Sequence, residues 1–279
     1  MEGKIMHKFA SFNHKILPAN NIKINAISSA GFYGKGVFTT LAIYNSNPFL
    51  WEKHWRRLNN NAKKIGIDLS AFEEQKVFKS LAEIIEKNQI ENGRCRITIF
   101  DESSNKIWQT SNKNKISLLI QTADFRENKK DLSVYVSPYS VNTHSPLVGI
   151  KSCNYLENTL ALEDARKYGL DEMIRYNENN DVVSFCMANI FWLEYDDQRL
   201  HTPSLETGCL AGTTRELILE NFEVLEVKKN INTLFRDAES IFMTSSGIGI
   251  AQISDINKNK INKRNHEITD LIQKELNKI

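Results

Sequence analysis

Gly149-Ile150-Lys151-Ser152-Cys153-Asn154-Tyr155-Leu156-Glu157 sets a single lysine on a short, mostly apolar approach to a segment with helix-forming character. A lysine held where water is scarce loses part of its charge, because desolvation disfavours the ammonium form. It can then act as an amine nucleophile or move a proton. A lone lysine in a loop is far more often ordinary. This one gains weight from the segments arranged around it along the chain.

With 279 residues the chain is long enough for one large domain or two of ordinary size, each with a sizeable core. A formal net charge of +2 implies no polyelectrolyte partner, and 25% charged residues is the usage of folded proteins. The Asn/Lys-rich stretches at 111–115 and 257–265 lack interleaved aromatics and read as exposed loops rather than nucleic-acid patches. The start of the chain has no apolar run of the secretory kind, and no stretch is long enough to cross a bilayer. Cys95, Cys153, Cys186 and Cys209 are scattered without a C-x-x-C pair, which argues against zinc and against a disulfide framework. The expectation is a cytoplasmic protein with no membrane, metal or nucleic-acid site.

The first part reads as short strands at 9–17, 22–27 and 37–44, then two helices. Trp55, Leu58, Ala62 and Ile65 recur at helical spacing before Gly66, and Val77, Leu81, Ile84 and Ile85 form a second stripe. Strands follow at 94–100 and 116–122. The polar run 124–131 reads as a linker, dividing an N-terminal domain, 1–123, from a C-terminal one, 132–279, that carries Lys151. The second part predicts a strand at 132–137 and a helix over 154–168 capped by Gly169. Strands follow at 172–176, 182–186, 190–195 and 240–244, with helices at 213–221 and 266–279.

Several segments carry chemistry. The glycines of Gly34-Lys35-Gly36-Val37-Phe38-Thr39-Thr40-Leu41 permit a tight entry into a strand. In His54-Trp55-Arg56-Arg57-Leu58, Arg57 adjoins the buried stripe, and a guanidinium fork suits a phosphate dianion. Arg94 and Arg96 share one face of a strand, either exposed or paired with anions. Ala211-Gly212-Thr213-Thr214-Arg215 opens a helix whose first N–H groups make either a phosphate site or a plain cap. Thr244-Ser245-Ser246-Gly247-Ile248-Gly249 is small and hydroxylated, fit for close backbone approach. Val183-Ser184-Phe185-Cys186-Met187-Ala188-Asn189-Ile190-Phe191-Trp192 completes the set.

In their order along the chain the segments resemble the class IV aminotransferases, the fold type IV enzymes that use pyridoxal 5'-phosphate (PLP). The lysine stretch is similar to the family's lysine signature. Gly34–Leu41 is similar to G-D-G-x-[FY]-E-[TS], with Lys35 for Asp and Thr39 for Glu, an F-T-T variant found in aminodeoxychorismate lyases. His54–Leu58 matches H-x-x-R-L, 211–215 resembles P-G-I-T-R, and 244–249 resembles T-S-T-x-x-E. The 183–192 block resembles T-E-x-x-x-x-N-[IVL]-F, in a form nearest to aminodeoxychorismate lyases.

The resemblance implies a mixed α/β (α+β) fold of two domains, the larger with a barrel-like sheet, and a PLP site between them. It further implies an amino-carboxylate substrate and a homodimer. Lys151 would form the Schiff base and move the proton. Arg57, Thr213, Thr214 and Ser246 would hold the phosphate, and Tyr155 the phenolic oxygen. Thr39 and Arg96 would lie by the substrate. Counting back from Asn189, Ser184 stands where the family has the glutamate that keeps the pyridine nitrogen protonated. A serine offers only a neutral hydrogen bond. Three readings stay open: a lyase that eliminates pyruvate, a branched-chain or D-amino-acid aminotransferase using 2-oxoglutarate in which another acid takes over, and a degenerate member without catalysis.

Overall fold

Hydrophobic alternation and turn placement build two compact units. One comprises Met1–Arg126 with Ile150–Tyr155, and the other Glu127–Gly149 with Leu156–Ile279. The structure is a computed structural model that describes residues 6–104, 115–125, 131–257, 259–260 and 267–276. Most of the expected linker, 126–130, and most of the two expected Asn/Lys-rich loops lie outside the described residues.

In the first unit, β1 (Phe9–Phe12), β2 (Lys15–Pro18), β3 (Gly36–Tyr44), β4 (Asn47–Pro48), β5 (Gly93–Asp101) and β6 (Ile116–Ala123) form an antiparallel sheet in the order β2-β1-β6-β5-β3-β4. A short helix α1 (Ser29–Tyr33) precedes β3, while α2 (Trp51–Lys64) and α3 (Glu74–Lys87) follow β4. One face of the sheet carries Val37, Leu41, Ile43, Ile97, Ile99, Leu118 and Ile120. Against it pack Leu58 and Ala62 of α2 and Val77, Leu81, Ile84 and Ile85 of α3. These are the stripes expected from sequence spacing, and Gly66, at φ +70°, ends the first helix.

The apolar run at 22–27 forms no strand. Ile24 and Ile27 are exposed, and Asn25 folds the chain locally by accepting from the Ile27 amide while its own amide donates to Glu102. An Asx turn outcompetes a strand there because the run has no apolar surface to cover.

The Lys151 segment, Ile150–Tyr155, belongs to the first compact unit. The Phe38 amide donates to the Lys151 carbonyl (2.9 Å), and the Cys153 amide to the Gly36 carbonyl (2.8 Å). The Asn154 side chain donates to the Tyr33 carbonyl (2.8 Å). Gly36 makes this possible. A Cβ there would meet Cys153 Sγ, the Ile99 carbonyl and Phe100 Cβ, each at 2.9 Å. These bonds also explain why the next helix begins at Leu156 rather than Asn154.

In the second unit, β7 (Asp131–Val136) precedes α4 (Leu156–Lys167). Next come β8 (Glu172–Tyr176), β9 (Val182–Phe185), β10 (Asn189–Glu194) and β11 (Asp197–Pro203). Helix α5 (Thr213–Asn221), β12 (Val224–Val227), α6 (Ile231–Asp237), β13 (Ala238–Ser245), β14 (Gly249–Ile256), β15 (Asn259–Lys260) and α7 (Glu267–Leu276) complete the unit. The sheet runs β12-β11-β10-β13-β14-β7-β8-β9, with β15 beside β14. Its last strand, β9, comes back against β10 and β11, so the sheet curls as the expected barrel-like architecture requires. The inside of the curl is lined by Val134, Ile174, Val182, Phe185, Ile190, Trp192, Ile241 and Met243.

Candidate active site

Lys151 is half-buried, and its amine is walled by aromatic rings. Nζ lies 4.6 Å from the Phe38 ring centre, 4.8 Å from that of Tyr155, and 3.4 Å from Tyr155 Oη. Phe38 and Tyr155 meet edge to face at 5.2 Å, which fixes both walls. Loss of water lowers the lysine pKa to about 7, with repulsion from Arg57 and Arg96 adding to the effect. Near neutrality, roughly half of such amines are unprotonated and nucleophilic.

Arg57 is placed by β3 and α2 together. Its Nη2 donates to Thr39 Oγ1 (2.8 Å), and Thr39 Oγ1 is also 2.7 Å from His54 Nδ1. His54 is fully buried, and burial, then the charges of Arg57 and Lys151, push its pKa well below the usual histidine value. It is therefore a neutral brace. Thr39 is 1% exposed, with its hydroxyl engaged on both neighbours. That environment suits positioning of Arg57 better than contact with a substrate. On the opposite face of the sheet, the exposed Arg96 lays its guanidinium 3.6 Å from the Phe38 ring centre and donates from Nε to Thr98 Oγ1 (3.2 Å). Lys35, at the position of the family's aspartate, pairs with Asp101 at 3.1 Å.

The second unit holds a separate cluster of hydroxyls. Thr213 Oγ1 lies 2.9 Å and Thr214 Oγ1 3.4 Å from Ser246 Oγ, at the first turn of α5 and the end of β13. Three hydroxyls gathered at the N-terminal turn of a nine-residue helix are an arrangement suited to an anion. Gly212 must be glycine, since a Cβ would come 2.0 Å from Asn189 Oδ1. Asn189 in turn donates to the Leu210 carbonyl (2.8 Å), tying β10 to the loop that enters α5. The first unit thus offers a half-buried amine of lowered pKa beside an arginine fork, and the second, by itself, hydroxyls at a helix start; each is a donor type that suits an aldehyde-bearing phosphate ester.

Ser184 lies on β9, half-buried, directly opposite Arg175 of β8. Arg175 and Glu172 stand in none of the motifs, and Asn189 enters the sequence analysis only as the motif residue from which Ser184 is counted. Glu172, buried, accepts from the backbone amides of Met173, Cys186 and Met187 (3.1, 3.1 and 3.0 Å) and shapes the turn after Ser184. Burial raises its pKa. A buried carboxylate between two strand pairs gives no periodic signal, although a charged residue inside an apolar run, as in Glu172-Met-Ile-Arg175, is a usable one. Among the described residues no group of three or more His, Cys, Asp or Glu could hold a metal ion, and no helix is long and apolar enough to cross a membrane.

The family model for amino-transferase class IV matches residues 36–256, and the chain belongs to that family, whose members are PLP-dependent enzymes. The aminodeoxychorismate lyase of Bacillus subtilis (strain 168) is 26% identical over 269 residues, 94% of this chain and 91% of the relative. A putative branched-chain-amino-acid aminotransferase of Methanocaldococcus jannaschii is 25% identical, covering 96% of this chain and 94% of the relative. The solved structure of the branched-chain aminotransferase from the thermophilic archaeon Thermoproteus uzoniensis, with norvaline, superposes with a TM-score of 0.88 at 24% identity. It covers 98% of this chain and 94% of its own.

Proposed function

We propose that the chain is a PLP-dependent lyase that eliminates pyruvate from an aminodeoxychorismate-like amino-carboxylate. The observation that carries this choice is Ser184, a hydroxyl where electron withdrawal through the ring calls for a carboxylate. The likeness to the Bacillus subtilis aminodeoxychorismate lyase supports it. The cofactor, when bound, supplies a carbonyl carbon for amines and a conjugated ring that draws electrons from the substrate.

Arg57, Thr213, Thr214 and Ser246 hold its phosphate in this reading, and Tyr155 its phenolic oxygen. Thr39 positions Arg57, and Arg96 meets the substrate carboxylate. Lys151 is the amine that anchors the cofactor and the base that moves a proton at the carbon bearing the substrate amine. Loss of that proton drives out the neighbouring enolpyruvyl oxygen. The ring becomes aromatic as 4-aminobenzoate, and the released enol takes up a proton as pyruvate. This elimination is helped by aromatisation and needs less electron withdrawal than moving an amino group does.

An aminotransferase of the branched-chain or D-amino-acid type is the second reading. Tyr155, 3.4 Å from Lys151 Nζ within an N-Y-L sequence similar to that of branched-chain enzymes, favours it. We further propose a cytoplasmic homodimer. Supplying aminodeoxychorismate, and separately branched-chain or D-amino acids with 2-oxoglutarate, decides between the readings. Pyruvate release is expected from the first alone, and amino transfer to 2-oxoglutarate without pyruvate release would overturn the lyase assignment. Bound cofactor with neither product would identify a non-catalytic member.

A further inference from the structure

Arg175 is the one arginine in the β8–β9 hairpin, and its setting is unlike that of a surface cation. The residue is 1% exposed. Nη1 donates to Asn158 Oδ1 (3.3 Å), Nη2 stands 3.6 Å from Glu157 Oε2, and the buried Nε has no hydrogen-bond partner. Glu157 is largely exposed, so the neutralising charge lies in water while the guanidinium does not. A guanidinium keeps its charge at every pH a protein survives. Burying one with a single exposed, long-range partner is costly, and such an arrangement persists where the charge serves a purpose.

The register says what the charge faces. Arg175 and Ser184 are direct partners in an antiparallel pair, so their side chains leave the same face of the sheet with Cβ atoms about 4.5–5.5 Å apart. Ile174 and Phe185, one residue along on each strand, turn the other way into the curled core. On the Arg175 face, Met173 and Cys186 pack with α4, whose first turn supplies Glu157 and Asn158. The position expected to hold a carboxylate therefore has a hydroxyl, and its cross-strand neighbour has a permanent positive charge.

We propose that Arg175 and Ser184 together keep the pyridine nitrogen of the cofactor unprotonated, the Ser184 hydroxyl donating a hydrogen bond to the nitrogen and the fixed charge of Arg175 opposing its protonation. The proposal rests on the reading of the chain as a PLP enzyme with Ser184 at the ring nitrogen. It goes beyond that reading by assigning a tuning residue that the lysine, phosphate and ring motifs do not contain. A neutral ring is a weaker electron sink, which biases the site toward eliminations and away from amino transfer.

The test is the ring-nitrogen shift of ¹⁵N-labelled PLP bound to the full chain, followed by NMR against pH. The wild-type protein is expected to give the unprotonated pyridine value across the whole range in which it stays folded. Arg175→Gln, which keeps a donor for Asn158 and removes the charge, is expected to move the shift toward the protonated value on the acid side. Arg175→Lys is expected to restore the wild-type profile. A merely structural arginine would change cofactor affinity in both variants and leave the titration where it was. A protonated nitrogen in the wild type, or superimposable titrations for wild type and Arg175→Gln, overturns the proposal. Should Arg175→Gln fail to fold, the comparison of wild type with Arg175→Leu/Ser184→Glu decides, and an unprotonated nitrogen in that variant, which lacks the guanidinium and bears a carboxylate, overturns the proposal. Failure of the wild-type chain to bind labelled PLP through Lys151 removes the cofactor reading itself. Bound PLP with a protonated ring removes this proposal alone.

Discussion

Lys151 has two cations, Arg57 and Arg96, among its electrostatic neighbours, and each makes the loss of its proton easier. The folded-state pKa of about 7 lies below the ordinary lysine value, so the neutral amine accumulates as pH rises through neutrality. The rate of cofactor capture should therefore climb with pH, reach half its plateau near pH 7 and level off above it. Arg57→Met removes one repelling charge, so the midpoint should move to higher pH even as phosphate affinity falls. Stopped-flow uptake of PLP across pH reads both effects, and an unmoved midpoint in Arg57→Met would show that the Arg57 charge plays no part in setting the lysine. Sequence reading reached Lys151, Arg57 and Tyr155 because each sits in a spaced motif. Arg175 and Glu172 show locally only as charges inside an apolar run; what they do comes from cross-strand register and from amides met in space, which that run does not encode.

Helices α2 and α3 were legible because an apolar stripe on a regular helix needs only local spacing to be seen. Strand β14 was not. Its Gly249-Ile-Ala-Gln-Ile start follows directly on the small-residue loop, and the loop's chemistry masked the alternation. The Lys151 segment shows a different limit: its backbone bonds are to β3, more than a hundred residues earlier, which chain order alone does not reveal. The junction of β10 with α5 depends on one missing Cβ. In Gly212→Ala the new methyl would displace Asn189 from its bond to the Leu210 carbonyl, a buried hydrogen bond worth about 1 kcal/mol or more. PLP affinity should fall roughly five- to tenfold or more, with the fold retained by circular dichroism. Unchanged affinity would separate the hydroxyl cradle from cofactor binding. An alanine at 247, where a Cβ meets nothing within 4 Å, is the matched control.

At the scale of the molecule, α4 and the turn that follows it leave Leu156, Leu160 and Tyr168 at 67%, 47% and 73% exposure, apolar surface of the kind a subunit contact would cover. Sedimentation equilibrium should give twice the 32.1 kDa chain mass, and Leu160→Asp should shift the balance toward the monomer. A wild-type monomer at micromolar concentration would contradict the dimer. Everything proposed for the chain depends on cofactor held by one amine, and the absorbance spectrum of purified protein titrated with PLP tests that directly. A visible band that grows to one equivalent per chain, is fixed by borohydride as a mass increase on Lys151, and is missing in Lys151→Ala is the expected result. A wild-type spectrum no different from that of Lys151→Ala plus free PLP would contradict the account.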